Sequence, residues 1–233
     1  MIKAVRRFFA PCSIVVCLSV ISLLFTQLYG TTSEAPAIVN PRFKYWTPDP
    51  IWKFEKPLMW ELSLLLGPYD RGLVRQDTVD GRICLGMHVF QDGANDEYHW
   101  ATVHVRQNLR ERATRKLFEG SLDMWVYPTF RHGRYPESGH PMNVFGVEIN
   151  DGTNLLWLVF SDQPDQVYQI EHHRIVTIST PLNQWSHREV QIGKYYSDAG
   201  WKPPSEVALI LLVGATKVYQ GDFAGFFLEI RVK

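Results

Sequence analysis

Cysteine is scarce in this chain. The 233 residues hold three, and Cys12 and Cys17 lie together in an apolar run, which leaves Cys84 alone in the remainder. One thiol makes no internal disulfide, so the fold must be held by packing. Net charge is missing too, since 24 Lys and Arg balance 24 Asp and Glu. Such a balance excludes bulk electrostatic capture of nucleic acid, and an acidic polymer would need a local basic patch. No long amphipathic helix, internal repeat or low-complexity tract is present, which excludes helical bundles and solenoids.

Charge is also absent locally. Residues 8–29, FFAPCSIVVCLSVISLLFTQLY, are 22 positions without a charged side chain. As a helix they would extend roughly 33 Å, enough for a hydrocarbon core of about 30 Å. Lys3, Arg6 and Arg7 precede the run, and Glu34 is the one charge between it and Val39. This asymmetry puts the N-terminus in the cytoplasm and everything after Gly30 outside it. The competing expectation is a cleaved secretory signal, with 14–25 as its apolar region. Gly30 offers a small residue for cleavage but places Leu28 two positions before it. Ala35 and Ala37 have the right size but lie about a dozen positions beyond Phe25. The expected organisation is a cytoplasmic basic segment 1–7, a single transmembrane signal-anchor helix 8–29, an extracytoplasmic tether 30–50 and a domain 51–233. Cleavage would make the protein secreted. No acylated-cysteine signal surrounds Cys12 or Cys17.

What the chain does have is apolar and aromatic content, 45% and 13%, ample for one all-β core of this length. In the tether, Pro36, Pro41, Pro48 and Pro50 favour an extended backbone. Trp46 and Trp52 point to docking on the domain or to a place near the bilayer interface. From Ile51 on, short β-runs alternate with turns. Strands are expected over 58–66, 73–77, 82–90, 99–107, 117–127, 143–150, 155–161, 167–171, 175–180, 188–192, 206–213 and 223–232. Asp80-Gly81, Asp92-Gly93 and Asp151-Gly152 mark turns. Residues 108–116 read as a solvated turn or helical loop, and 193–201 as a one-turn insertion. The fold class is all-β: a two-sheet antiparallel β-sandwich of jelly-roll type, preceded by the transmembrane helix.

Alternation assigns faces. Ala101, Val103 and Val105 share one side of their strand; Trp100, Thr102, His104 and Arg106 share the other. Leu122, Met124 and Val126 face inward against Asp123, Trp125 and Tyr127. Phe145, Val147 and Ile149 are core against Glu148 and Asn150, and Ile83, Leu85, Met87 and Val89 against Arg82 and His88. Residues 155–161 are apolar on both sides, as in a central strand, with Trp157 on the non-core face. Aromatic rings interleaved with Arg, His and Glu are what a sugar needs, because its C–H patches stack on rings while its hydroxyls take charged hydrogen-bonders. Trp100, His104, Arg106, Trp125, Tyr127, Glu148, Trp157 and His88 are therefore the candidate ligand-binding residues. The loop TFRHGRYPESGHPMN, with Arg131, His132, Arg134, Tyr135 and His140, is a candidate rim. His172 and His173 are adjacent on a strand and so point to opposite sides, which argues against a shared metal.

The opening NPRFKYW, the segment PLNQWSHREVQI with the YYSDAGWKPPSEVALIL after it, and the closing GDFAGFFLEIRV resemble carbohydrate-binding-module and concanavalin A-like jelly-roll domains. The resemblance implies a sandwich whose last strand ends beside its first. It also implies a structural calcium, for which Asp222 is the matching position; otherwise no cofactor is expected. The same fold hosts hydrolases and lyases. A retaining hydrolase needs two carboxylates about 5 Å apart, and no E-x-D-x-x-E stretch occurs. The segments 106–112, 168–172 and 195–200 are similar in order to three blocks of alginate lyases. They depart from that pattern at Glu171, where the family has His. The expected function is thus a membrane-anchored extracytoplasmic domain that binds cell-surface or environmental carbohydrate. The alternatives are a protein–protein module of an envelope complex and a polysaccharide-acting enzyme, lyase before hydrolase. Expected partners are the lipid bilayer through 8–29, a glycan ligand and an envelope protein, with no nucleic acid.

Overall fold

Asp80 and Gly81 both sit at positive φ, 49° and 74°. That backbone matches the right-handed twist of paired strands, so the two residues close a tight hairpin between β4 (Arg71–Val79) and β5 (Arg82–Gln91). Gly152, with φ of 87°, serves the turn between β8 (Asn143–Asn150) and β9 (Leu155–Ser161). These local signals seed two large sheets in the computed structural model, which describes residues 36–92, 100–134, 142–216 and 220–233. The charge-free run 8–29 lies outside the described residues. Among the described residues no helix is long and apolar enough to cross a membrane.

The larger sheet has seven strands in the order β10 (Gln166–Ile170), β11 (His173–Ser179), β9, β8, β13 (Val207–Thr216), β6 (Trp100–Leu109) and β3 (Glu61–Leu65). Its pairings are antiparallel apart from β9 with β11. The smaller sheet has five, in the order β12 (Ser186–Val190), β7 (Leu122–Pro128), β14 (Gly221–Val232), β5 and β4. The core lies between them. Val103, Val105, Phe145, Val147, Leu158, Leu209 and Leu211 from one sheet meet Leu85, Met87, Met124, Val126, Phe227 and Ile230 from the other, all fully buried. The alternation expected for these strands therefore holds, with one correction. Ile83 was expected in the core and is 58% exposed, because it lies on β5 beyond the edge of the packed layer.

Two helices close the sandwich. α1 (Glu111–Glu119) follows β6 and buries Thr114 and Leu117; its Phe118 ring meets Tyr196 of α2 (Ile192–Asp198) edge-on at 4.7 Å. Residues 37–50 dock on the domain, one of the two outcomes to which Trp46 and Trp52 point, and Trp46 itself packs on the core. Ile38 and Phe43 are buried with Trp60. Trp60 Nε1 donates to the Val39 carbonyl at 3.0 Å, and Gln107 Nε2 donates to the carbonyls of Val39 and Met59. A short hairpin, β1 (Trp46–Pro48) with β2 (Glu55–Pro57), stands on this base.

Candidate functional site

The eight candidate ligand-binding residues do not share one face. Trp100, His104, Arg106, Glu148 and Trp157 lie on the outer face of the seven-stranded sheet. His88, Trp125 and Tyr127 lie on the outer face of the five-stranded sheet, across the core from the others. Alternation within a strand tells in from out; it does not tell which sheet a strand joins, and that choice rests on pairings between residues far apart in sequence.

On the seven-stranded sheet, cross-strand pairing builds one row in register. Glu61 faces Arg106, Arg106 faces Ile210, Ile210 faces Glu148, Glu148 faces Trp157, Trp157 faces Ile175, and Ile175 faces Tyr168. At about 4.8 Å per strand the row extends roughly 29 Å. The neighbouring row holds His104, Leu212, Gly146, Val159 and Thr177. Val144, Val159, Ile175 and Leu212 form a buried apolar cluster, a second small core on this face, and the partly exposed rings of Trp100, Trp157 and Tyr168 pack on it.

Trp100 and Trp157 are three strands apart and six residues out of register. On a flat sheet about 14 Å across and about 20 Å along would separate them. Their ring centroids are 6.3 Å apart, edge to face, so the sheet curls toward this side. The Trp157 indole is fixed from below: Nε1 donates to Glu148 Oε2 at 2.9 Å, while Asn150 Nδ2 donates to Glu148 Oε1 at 3.0 Å. His173 meets Trp157 edge-on at 4.9 Å. Burial lowers the pKa of His104, against the pull of the Glu148 charge, so a neutral imidazole stands beside this pair.

The loop after β7 adds a cation. His132 is buried; its Nδ1 donates to the Asn143 carbonyl at 2.6 Å, which leaves Nε2 to accept from Arg134 Nε at 3.0 Å. Arg134 Nη2 then reaches Thr177 Oγ1 on the outer face of β11. Burial pushes His132 down to about 4, the Asn143 carbonyl opposes this, and the Arg134 charge adds to it. Arg131 points elsewhere, in a two-pronged pair with Asp162. Of the expected rim residues, Tyr135 and His140 lie outside the described residues. Arg134 reaches this face as expected of the rim, and Tyr168 is the member that joining distant strands adds to it.

The opposite face carries a separate aromatic chain. His88 meets Phe226, Phe226 meets Tyr127 and Tyr127 meets Trp185, each within 6 Å. The Arg82 guanidinium lies over Trp125 at 5.3 Å and over Trp185 at 6.0 Å. These rings contact one another and Arg82, so their faces are largely taken up. Asp222 opens β14 here, on the wall of a cavity of about 450 Å³ shared with Arg71, Arg75 and His88. Two guanidinium groups make that cavity a poor seat for calcium. Among the described residues no group of three or more His, Cys, Asp and Glu is placed to hold a metal ion.

The three lyase-like segments do not meet at one site, although Gln169 of the second donates to the Ala199 carbonyl of the third at 3.5 Å. Arg106 and Tyr168 share the curled face. Glu171 occupies the turn between β10 and β11 at φ of 46°, His172 bonds Asn154, and Tyr195 packs on the core from α2.

Neither a family model nor a curated protein matches the chain. Solved structures similar to it include the xyloglucanase domain of NopAA from Sinorhizobium fredii, in complex with cellobiose (10% identity, 75% of this chain and 92% of that one, TM-score 0.43). The catalytic domain of Humicola grisea Cel12A is another (11%, 75% and 92%, TM-score 0.45). A third is the family 11 carbohydrate-binding module from Clostridium thermocellum, in complex with a β-1,3-1,4-mixed-linked tetrasaccharide (9%, 77% and 91%, TM-score 0.36).

Proposed function

We propose that this protein is a glycan-binding domain, held outside the cytoplasm by the lipid-embedded segment 8–29, and that the curled face of its seven-stranded sheet takes an extended carbohydrate chain. The observation that carries this reading is the Trp157 indole, locked by Glu148 beside Trp100 over a buried apolar floor. A ring held in one orientation stacks on a sugar with little loss of rotamer freedom. Arg106 at one end of the face and Arg134 near the other supply hydrogen-bond donors for hydroxyl or carboxylate groups, and Tyr168 closes the row.

Hydrolysis by paired carboxylates does not belong to this reading. Both Glu148 oxygens already accept hydrogen bonds. The other carboxylate of the described row, Glu61, is three strands away, about 14 Å, and it faces Arg106. Paired-carboxylate enzymes hold theirs about 5 to 9.5 Å apart.

A glycan array probed with the full chain in nanodiscs tests the proposal. At least one oligosaccharide should be retained, and Trp157→Ala should weaken it by about tenfold or more, some 1.4 kcal/mol, in a domain that still melts cooperatively. No retained glycan at millimolar concentration, or equal binding by the variant, would overturn it. A fall in melting temperature with intact binding would instead make Trp157 part of the small outer core.

A further inference from the structure

The β1–β2 hairpin displays apolar side chains that nothing in the domain covers. Tyr45, Ile51 and Met59 are 64%, 73% and 65% exposed, and Leu58 joins them. Tyr45 and Leu58 are held side by side, since Leu58 N donates to the Tyr45 carbonyl and Asn40 Nδ2 reaches both carbonyls. Ile51 stands at the tip of a turn built around one buried carboxylate. Asp49 Oδ1 accepts from the backbone N–H groups of Ile51 and Trp52, at 2.8 and 2.9 Å, and Oδ2 pairs with Lys56 at 2.9 Å. Burial alone would raise the Asp49 pKa; the Trp52 N–H, Lys56 and the Ile51 N–H together hold it lowered. The turn is thus rigid, and it presents its most water-averse residue outward. The Trp46 and Phe54 side chains turn the other way, onto the core.

We propose that this hairpin is a foot that rests in the interface of a lipid bilayer. Three observations select lipid over another occupant. The hairpin follows the charge-free run closely: Tyr45 is 16 positions after Tyr29, a reach of up to about 55 Å in extended chain. Lys44 and Lys53 flank the apolar tip, exposed; their backbone N–H groups bond Asn40 and Asp49, but among the described residues their ammonium groups make no hydrogen bond or ion pair, so they are available to anionic headgroups. The exposed set also mixes Tyr45 with the partly exposed Trp52 beside aliphatic Ile51, Leu58 and Met59, the composition of an interfacial contact. Resting the foot on the membrane fixes the orientation of the domain, which a flexible tether alone would not do.

The inference rests on the anchored reading of segment 8–29, and the test separates the two. The full chain with Cys12 and Cys17 changed to serine is reconstituted in phosphatidylcholine–phosphatidylglycerol vesicles containing doxyl-labelled lipid. Cys84 is buried, and burial together with the nearby Asp77 charge pushes its thiol up to about 12, so it does not react with labels at neutral pH. An environment-sensitive fluorophore is placed at Ile51→Cys in one preparation. In the other it is placed at Tyr69→Cys, also exposed but beyond the opposite end of β3. The expected result is blue-shifted, doxyl-quenched emission at position 51 and unquenched emission at position 69, with the quenching at 51 reduced in Lys44→Ala/Lys53→Ala. Protein that floats with the vesicles but shows equal emission at both positions overturns the foot and leaves the anchor standing. Protein that does not float overturns both.

Discussion

Phe145→Ala is expected to lower the unfolding free energy by about 3–5 kcal/mol, and Gly225→Ala by about 1–3 kcal/mol. Combined, the two changes should cost well under their sum, by on the order of 1–2 kcal/mol. Phe145 belongs to the seven-stranded sheet and Gly225 to the five-stranded one. The Phe145 ring is fully buried, with Phe227 at 4.8 Å and Phe160 at 6.0 Å between centroids. A Cβ on Gly225 would overlap that ring, so the glycine is there for close approach of the two layers and not for a turn. Removing the ring leaves a cavity, and adding the methyl pushes the ring off its rotamer. With both changes made, the methyl enters part of the space vacated. Urea titration of the four proteins at pH 7 measures the cycle. Additive costs, within about 0.5 kcal/mol, would mean that the sheets adjust independently and that Phe145 is not the seam between them.

The seam also shows how far the sequence could be read. Asp80-Gly81 and Asp151-Gly152 announced two hairpins, and period-two alternation placed Val103, Phe145, Met124 and Leu85 in the core, because turn chemistry and patterning are local. Three features were not legible in this way. Trp46 and Trp52 pointed to docking of the proline-rich residues 37–50, yet the contacts that dock them, Ile38 and Phe43 buried with Trp60 and Val39 held by Trp60 and Gln107, follow from no local pattern. Residues 108–116 looked solvated because their charges dominate, yet Thr114 and, just beyond, Leu117 anchor α1 to the core. The candidate site split in two because Trp125 and Trp157 alternate in the same way on strands of different sheets. The row from Arg106 to Tyr168 joins five pairings among strands scattered from residue 100 to residue 216, so it exists only in the sheet order.

His132 links the stability of the domain to the shape of the proposed site. Its folded pKa of about 4 lies below the ordinary 6.5 because burial disfavours the charged ring. The unfolded chain therefore takes up a proton as the pH falls through 6.5, and the folded one does not until about 4. The stabilising contribution is complete above 6.5 and is lost on acidification, by about 2 kcal/mol at pH 5 and about 3 kcal/mol at pH 4. The lowered pKa values of Asp49, Asp77, Asp123, Asp151, Asp162 and Glu189 act from the ordinary carboxylate values downward, so the interval from about 5 to 6.5 is governed by the histidines. His104, also lowered by burial, contributes there with the same sign, so the comparison that matters is with His132→Gln. Glutamine keeps one donor for the Asn143 carbonyl and one acceptor for Arg134 but cannot titrate. Its unfolding free energy should fall about 2 kcal/mol less between pH 7 and pH 5 than that of the wild type. Nitrogen NMR should find the His132 proton on Nδ1 at pH 7. A His132 that titrates near 6.5, or a variant with the same pH slope, would sink the argument. The protonated ring has no lone pair for Arg134, so the same acid step should release the guanidinium from Thr177, and glycan affinity should fall before the domain unfolds.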